Sequence, residues 1–400
     1  MPASINADAS NKSPVSDEGE LNPFIIPVII GDGVGPDIWR AAEPVLLKAA
    51  RSSGHNPKFV EVPAGAKAFE ATGSYLPAET LETLKKRRVS LKGPLATPVG
   101  GGMRSLNVAI RQALDLYACI RPVKWIPGVP SPVKHPEKTD IILFRENTED
   151  VYAGLEWKAG SNEANSLIDF SRTNLNASIR EGSAVGLKPM SEFCSKRLVR
   201  LALEWALKEK RPNLTLVHKG NIMKFTEGAF RAWGYELAKA EFGALTVPES
   251  EAVPGDARLI IKDRIADNMF MQSLLRPEEY SVLAMPNLNG DYLSDCLAGQ
   301  IGGLGMAPGA NIGDGLAVFE ATHGTAPKYQ GQDKVNPSSL ILSGAFMMEY
   351  LGWNEAADRI RLALKRTVAD GLVTYDLARQ DKKLKEVGCS QFGEAVAERL

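Results

Sequence analysis

The sequence predicts an α/β fold, a sheet with helices on its faces, from three observations. From Phe24 onward, β-branched runs alternate with segments whose apolar residues recur at helical spacing. Glycine-rich turns such as GDGVGP, Gly31 to Pro36, separate strand patterns from helix patterns. The chain has 400 residues, 44% hydrophobic and 24% charged, a globular composition long enough for two or three domains.

The elements follow in order. FIIPVII reads as a buried strand and DIWRAAEPVLLKAA as the helix after the GDGVGP turn. PAETLETLKKRR and SLNVAIRQALDLY continue the helical pattern, as does the segment with Leu198, Leu201, Ala202 and Trp205 at i, i+3, i+4 and i+7. DIILFREN, LTLVH, RLIIK and SVLAM are the interleaved strands. Between Lys158 and Gly186 the pattern lapses into an Asn- and Ser-rich insertion, expected as a surface loop or a small intersubunit element. The first twenty residues carry neither the apolar core of a signal peptide nor transit-peptide arginines and read as a disordered polar arm on a cytoplasmic protein. No apolar run approaches the roughly 18 residues of a membrane span.

Lys plus Arg total 47 against 48 Asp plus Glu, so no global basic field recruits nucleic acid or an anionic membrane, and any anion site must be local. The four cysteines lie far apart without a CxxC pair, which argues against a zinc knot or a disulfide framework. GDGVGP and GGLGMAPG both miss the Rossmann glycine spacing, so turns requiring positive φ explain them at least as well as a dinucleotide site.

Several constellations could carry chemistry. In NGDYLSD, Asp291 and Asp295 stand four apart, either a helix start with a solvated charge or half of a divalent-metal site. IKDRIADNMF adds Asp263 and Asp267 after a strand, so that four carboxylates are available for Mg²⁺ or Mn²⁺. Arg111, Arg121 and Arg145 are either surface charges or planar forks for substrate carboxylates, with Ser105 and Asn107 as neutral donors beside them. Lys219 and Tyr152 suit proton transfer or, equally, a solvated amine and a half-buried ring. EATHGTAPKYQGQDKVNP is a loop whose His323, Lys328 and Tyr329 suit nucleotide binding; a rigid surface turn is the alternative.

In order and spacing, GDGVGPDI, KGPLATPVGGGMRSLNVAIRQALDLYACIRPV, FRENTEDVYAGLEW, VHKGNIMKFTEGAF, IKDRIADNMF, NLNGDYLSD and HGTAPKYQGQDKVNP resemble the β-decarboxylating dehydrogenase family, its bacterial NADP-dependent isocitrate dehydrogenases in particular. The resemblance runs from about Phe24 to the carboxyl terminus. It implies a non-Rossmann isocitrate/isopropylmalate dehydrogenase-like α/β fold with large and small domains and a clasp. Residues 1–22 would be the polar arm, 23–116 and 302–400 the large cofactor-binding domain, 117–149 and 192–301 the small domain, and 150–191 the clasp of an intertwined homodimer.

The resemblance also implies site roles. Ser105, Asn107, Arg111, Arg121 and Arg145 would hold isocitrate; Asp291 and Asp295, with Asp267 from the other subunit, would hold Mg²⁺ or Mn²⁺. Lys219 and Asp267, entering from the partner, would assist alcohol deprotonation, and Tyr152 would protonate the enol carbon left after CO₂ is lost, yielding 2-oxoglutarate in the tricarboxylic acid cycle. Thr97, His323, Gly324, Thr325, Ala326, Lys328, Tyr329, Val335, Asn336, Tyr375 and Arg379 would bind NADP, with Lys328, Tyr329, Tyr375 and Arg379 supplying the donors that a 2′-phosphate requires. Ala96 stands where related enzymes often carry threonine, which leaves Thr97 as the donor near the nicotinamide. Related enzymes also carry a phosphorylation switch at the substrate-site serine, so a regulatory kinase acting on Ser105 is expected to oppose isocitrate binding through about −2 units of added charge. Within the family, 3-isopropylmalate, homoisocitrate and tartrate dehydrogenases are the alternatives, and a catalytically dead nucleotide-sensing or RNA-binding relative is the alternative from another class. The small polar pair in RSLN favours a γ-carboxylate over an isopropyl group.

Overall fold

The computed structural model describes residues 23–96 and 105–400; the expected arm over 1–22 and the candidate Thr97 lie outside the described residues. Strand β1 (Phe24–Ile29), helix α1 (Gly35–Ser52) and strand β2 (Pro57–Glu61) follow the predicted order. Helices α2 (Ala66–Thr72) and α3 (Ala78–Arg87) lead to β3 (Val89–Lys92). Helix α4 (Leu106–Ala113) is shorter than the pattern SLNVAIRQALDLY suggested. Asp115 adopts a left-handed φ of 46°, and the chain turns there toward β4 (Ala118–Lys124) and β5 (Asp140–Glu146).

The Asn- and Ser-rich insertion contains a helix, α5 (Asn162–Asn174), reached and left through a two-stranded ribbon of β6 (Glu156–Trp157) and β7 (Val185–Gly186). The Ser161 hydroxyl caps it by accepting the Ala164 N–H at 3.2 Å. Its buried stripe is only Ala164 and Ile168, too narrow for periodicity to reveal. Next come α6 (Glu192–Lys208), β8 (Asn213–His218), α7 (Glu227–Phe242), β9 (Thr246–Pro248) and β10 (Leu259–Ile265). Helix α8 (Ala266–Leu275), β11 (Val282–Met285) and α9 (Asn287–Gln300) complete that part of the chain.

The carboxyl-terminal part adds β12 (Pro308–Gly313), β13 (Leu316–Ala321), α10 (Ser338–Tyr350) and α11 (Asn354–Ala369). The short elements β14 (Leu372–Val373), α12 (Tyr375–Ala378) and β15 (Lys385–Glu386) precede α13 (Cys389–Glu398). Helix α10 is buried around almost its whole circumference, which explains its lack of an apolar face: it is an internal helix, packed on α1, α11, β12 and β13.

Eleven strands form one mixed sheet in the order β2-β1-β3-β13-β12-β4-β5-β11-β8-β10-β9. Strands β2, β1, β3 and β13 are mutually parallel, as are β5, β11, β8, β10 and β9. Antiparallel β12 and β4 join the two blocks. Three antiparallel pairings separate the blocks, so they run in opposite senses. Phe144, Phe230, Phe319 and Phe392 are among the largest fully buried side chains of the main core. A smaller core of Ile29, Leu84, Leu106, Ile110 and Val318 fills the space under α3 and α4.

The GDGVGP turn has a steric reason. Gly33 adopts φ 59°, and a Cβ there would lie 2.0 Å from the Thr325 carbonyl oxygen, which itself accepts the Val34 N–H at 3.0 Å. The glycine thus lets the start of α1 dock onto the loop after β13. GGLGMAPG is the connection from α9 to β12, with Gly302 and Gly303 at φ of 114° and 113°, so the turn reading accounts for it.

Near the joint between the blocks lies a buried ionic cluster. Glu320 on β13 accepts from Arg111 of α4 at 3.0 Å and Arg121 of β4 at 3.4 Å through one oxygen, while Lys92 of β3 lies 3.1 Å from the other. All four side chains are buried, with one negative charge against three positive ones. Burial opposes ionisation of Glu320, but Lys92, Arg111 and Arg121 together hold its carboxyl far below the usual range. Burial pulls the Lys92 ammonium below its ordinary value, and the two guanidiniums add to that while Glu320 opposes it.

This cluster generates a pH prediction. The folded-state pKa of Glu320 lies below its unfolded value of about 4.3, so the unfolded chain takes up the proton first as pH falls. Its stabilisation is complete above the unfolded pKa and drains away below it. A Glu320→Gln chain should lose about 3 kcal/mol at neutral pH, since three buried cations then share no anion. Urea unfolding at pH 7 and pH 4 checks both parts: the variant should be less stable at pH 7 and depend less on pH between the two.

Candidate active site

Four sequence candidates stand just past the carboxyl ends of four neighbouring parallel strands, where open α/β sheets collect ligands. Tyr152 follows β5 in a 3₁₀ turn, Asp291 follows β11, Lys219 follows β8 and Asp267 follows β10. Helix α9 packs on β5 and β4, which brings its carboxylates alongside the arginines of those strands. Gly290 makes the approach close: a Cβ there would lie 2.6 Å from Arg145 Cγ.

Arg145 is 2% exposed and donates from Nε to Asn287 Oδ1 at 2.8 Å and from Nη1 to Asp291 Oδ1 at 2.5 Å. The Tyr152 hydroxyl donates to the other oxygen of Asp291 at 2.7 Å, and the Arg145 guanidinium sits 4.8 Å from the Tyr152 ring centroid. Burial, opposed by Arg145 and aided by the Asp291 carboxylate, pushes the Tyr152 phenol up to about 12, so it keeps its proton at neutral pH. Asp295 is exposed, and its side chain hydrogen-bonds to none of the described residues. Partial desolvation by the surrounding protein raises its carboxyl above the ordinary value, with Arg121 opposing and Asp291 adding to the shift.

Asn107 Oδ1, Arg111 Nε and Arg145 Nη2 are buried without hydrogen-bond partners among the described residues. Such groups are costly to leave unpaired, and the two guanidinium nitrogens suit a substrate carboxylate. Ser105 occupies the position before α4, half-buried. Asp291 and Asp295 share one face of α9; each Asp291 oxygen keeps a lone pair beyond its one donor, Asp295 has no side-chain partner among the described residues, and the charge of Asp291 already presses on Asp295, so an oxygen-seeking divalent cation fits the pair.

Lys219 and Asp267 form an ion pair of their own, and the Lys219 hydrogen bond holds the Asp267 carboxyl below its ordinary value. No hydrogen bond or ion pair among the described residues joins this pair to Asp291 or Asp295. Asp263, which sequence spacing grouped with the metal acids, is placed otherwise. It lies within β10 and accepts from His218 at 3.2 Å and Tyr235 at 2.7 Å, with Arg231 at 2.9 Å. Those three donors hold its carboxyl far below the usual range despite burial, and they take three of its roughly four lone-pair sites.

The other strand block carries a second group of candidates. The loop after β13 holds His323, Gly324, Thr325 and Ala326, followed by Lys328 and Tyr329 in a 3₁₀ turn. Burial lowers the pKa of His323, leaving a neutral ring, and its Nε2 is buried without a partner among the described residues. Tyr329 and Tyr375 have ring centroids 5.2 Å apart. Lys328 lies 4.7 Å from the Tyr329 centroid, while Lys334 and the Arg379 guanidinium each lie 5.8 Å from that of Tyr375. None of these three cations forms an ion pair with the described residues, so the cluster fits a phosphate.

Val335 and Asn336 are buried nearby, but the Asn336 side chain is committed inward: it donates to Asp376 Oδ2 at 3.1 Å and accepts the Ser338 N–H at 2.9 Å. The Ala96 N–H donates to Asp32 Oδ2 at 2.8 Å, and the Ala66 N–H donates to the other oxygen at the same distance. Asp32 of the GDGVGP turn therefore anchors the KGPLA segment.

Sequence reasoning missed Lys92, Glu320 and Lys334. Lys92 and Glu320 sit inside motifs already noted, KGPLATPVGG and EATHGT, and a charged residue ending an otherwise apolar strand was the available signal. Lys334 lies between two candidate stretches of the same loop. A further group, Glu146, Glu149 and Cys194, is close enough to hold a metal, but its carboxylates are engaged. Glu146 accepts the Thr148 and Glu149 N–H groups and the Thr148 hydroxyl, and Glu149 accepts the Ser191 N–H, so these acids brace the turn after β5.

Comparison with known proteins fits this geometry. The family model described as isocitrate/isopropylmalate dehydrogenase matches residues 25–396. The chain is 56% identical over 385 residues to an NADP isocitrate dehydrogenase of Archaeoglobus fulgidus, covering 95% of this chain and 93% of that one. It is 52% identical to one of Staphylococcus epidermidis, with 95% and 96% covered, and 51% identical to one of Haloferax volcanii, with 98% and 97% covered. Among solved structures, isocitrate dehydrogenase from Methylococcus capsulatus superposes with a TM-score of 0.79 at 38% identity, covering 94% of this chain and 98% of that chain. With strand order, site geometry and near full-length identity in agreement, this chain belongs to the isocitrate/isopropylmalate dehydrogenase family.

Proposed function

We propose that the chain catalyses NADP-dependent oxidative decarboxylation of isocitrate to 2-oxoglutarate and CO₂. The observation that carries the reading is the charge imbalance of the site: among the described residues, Lys92, Arg111 and Arg121 share one carboxylate, and buried nitrogens of Arg111 and Arg145 have no acceptor. A tricarboxylate supplies the missing negative charge. Ser105 and Asn107 meet its γ-carboxylate, and the three arginines bind the others.

NADP, when bound, would supply the hydride acceptor, and Asp291 and Asp295 would hold a divalent cation whose chemistry is Lewis acidity toward the substrate's hydroxyl. The chain's own groups handle the protons. Tyr152, whose phenol burial keeps protonated, delivers a proton to the carbon that loses CO₂. The partner subunit's Lys219 takes the hydroxyl proton through a relay with the partner subunit's Asp267. Lys328, Tyr329, Tyr375 and Arg379, now joined by Lys334, would hold the 2′-phosphate, with the neutral His323 ring in the same loop cluster.

A homodimer is supported by exposed apolar residues beside the Lys219–Asp267 pair. Ile222 and Phe225 are 69% and 93% exposed in the loop after Lys219, and Met271, Leu274 and Leu275 on α8 and Tyr292 on α9 are also exposed. Burying that face against a second copy would carry Lys219 and Asp267 toward the copy's Asp291. The large and small domains divide between β12 and β4, and residues 150–191 form the clasp. No helix among the described residues is long and apolar enough to cross a membrane, and the cytoplasm is the proposed location.

Purified protein with isocitrate, NADP and Mg²⁺ or Mn²⁺ should produce NADPH, lose that activity with EDTA, and give none with 3-isopropylmalate. Absence of NADPH from isocitrate would sink the reading. Lys219→Met and Asp291→Asn homodimers should each be inactive, while an exchanged equal mixture should regain about a quarter of the parent activity, because half its dimers hold one intact site. No recovery after verified exchange would count against the shared site. A Ser105→Asp chain, standing in for a kinase's phosphate, should bind isocitrate at least about tenfold more weakly with NADP binding preserved. Unchanged isocitrate affinity would remove the electrostatic basis for such a switch.

A further inference from the structure

Lys188 lies outside the substrate, metal and cofactor groups, yet its ammonium is shared by two deeply buried carboxylates. Asp150 is 1% exposed and Glu227 is fully buried. Lys188 Nζ donates to Asp150 Oδ1 and lies 3.1 Å from Glu227 Oε1, and no other side-chain cation among the described residues contacts either acid. Two buried carboxylates repel, and they stay together only with a cation between them and donors on their remaining lone pairs.

Those remaining donors come from the catalytic segments. Asp150 Oδ2 accepts the Leu288 N–H at 3.0 Å, at the start of the helix that carries Asp291 and Asp295. Asp150 also accepts the Val151 N–H at 2.7 Å and holds a left-handed φ of 68°, which a non-glycine residue keeps only where its surroundings fix it. Tyr152 follows two residues later. Glu227 Oε2 accepts the backbone N–H of Lys219 and the Asn289 side-chain amide, the latter at 2.7 Å. Lys188 itself follows β7 where the 150–191 excursion returns, and the Asp150 N–H to Pro189 carbonyl bond, 3.0 Å, closes its base.

We propose that Lys188 is a positioning residue for the reaction: a single ammonium that fixes the Tyr152 turn, the Lys219 turn and the amino-terminal end of α9 relative to one another. The inference rests on the functional reading above. It makes the return strand of the excursion part of the active-site frame, through charge and not through contact with substrate.

The test uses the full chain. Lys188→Met keeps the side-chain length and removes the charge; kcat for isocitrate should fall about tenfold or more, with the KM for NADP within about twofold, because the cofactor loop lies on the other strand block. Lys188→Arg should restore about a third or more of the parent kcat. Deuterium exchange from solvent into C3 of 2-oxoglutarate, which runs the Tyr152 proton transfer in reverse, should fall in parallel with kcat. A Lys188→Met chain with kcat within about twofold of the parent, or one whose loss only tracks its folded fraction by circular dichroism, would overturn the proposal.

Should Lys188→Met not fold, Glu227→Gln decides. It keeps the shape of the acid, leaves Lys188 on Asp150, and should lower kcat about fivefold or more with the KM for NADP unchanged. Parent-like kcat in that variant overturns the proposal. If the unmodified chain forms no NADPH from isocitrate, the functional reading falls and this inference with it; an active parent beside an equally active Lys188→Met chain overturns this inference alone.

Discussion

One carboxylate shared among three buried cations sets the terms for the rest of the molecule. Glu320 joins β3, β13, α4 and β4 through Lys92, Arg111 and Arg121, so four elements from different parts of the chain meet at a single charge. Among the described residues, one ion-paired anion faces three cations. Taking that excess out of water is costly, and a chain built only for stability would fill the same volume with apolar side chains. The excess is intelligible as a site kept ready for an anion. It also accords with the buried nitrogens of Arg111 and Arg145 that lack partners among the described residues, groups that are costly to leave unpaired.

The sheet converts that local charge into a site with two sides. One parallel block ends in the turns that carry Tyr152, Asp291, Lys219 and Asp267, and the other ends in GDGVGP, KGPLA and the HGTAP loop. The blocks run in opposite senses through β12 and β4, and α9, packed across β4 and β5, carries its acids back to the arginines. Buried acids brace the turns that result. Asp32 anchors the KGPLA backbone, Glu146 and Glu149 brace the turn after β5, and Asp150 and Glu227 share Lys188 beneath Tyr152 and Lys219. In each case a carboxylate accepts backbone N–H groups that a loop would otherwise leave unpaired.

The strands and long helices were readable in sequence because their burial is one-sided or complete, and both leave a periodic signature. Helix α5 was not, since two buried residues make no stripe. The end of α4 was not, because a left-handed Asp115 is a backbone choice without a compositional mark. Among site residues, Arg111, Arg121, Arg145, Tyr152, Asp291 and Asp295 do converge. Lys219 and Asp267 pair with each other, and Asp263 accepts from three donors of its own, His218, Arg231 and Tyr235. Spacing had offered all four acids on equal terms, because i, i+4 proximity says which carboxylates share a helix face and nothing about which donors already occupy them.

By itself the sequence determined the α/β alternation, the turn at Gly33 and, through long motifs in order, the family and its chemistry. These depend on local residue type and spacing, which the chain carries explicitly. Tertiary structure alone decided that Lys92 and Glu320, far apart in sequence, form one ionic centre, that Asp263 belongs to His218, Arg231 and Tyr235, and that Lys188 is held between Asp150 and Glu227. The physical reason is the same each time. A buried charge acquires its role from the few groups within hydrogen-bond reach, and those groups arrive from distant strands only when the sheet closes around them.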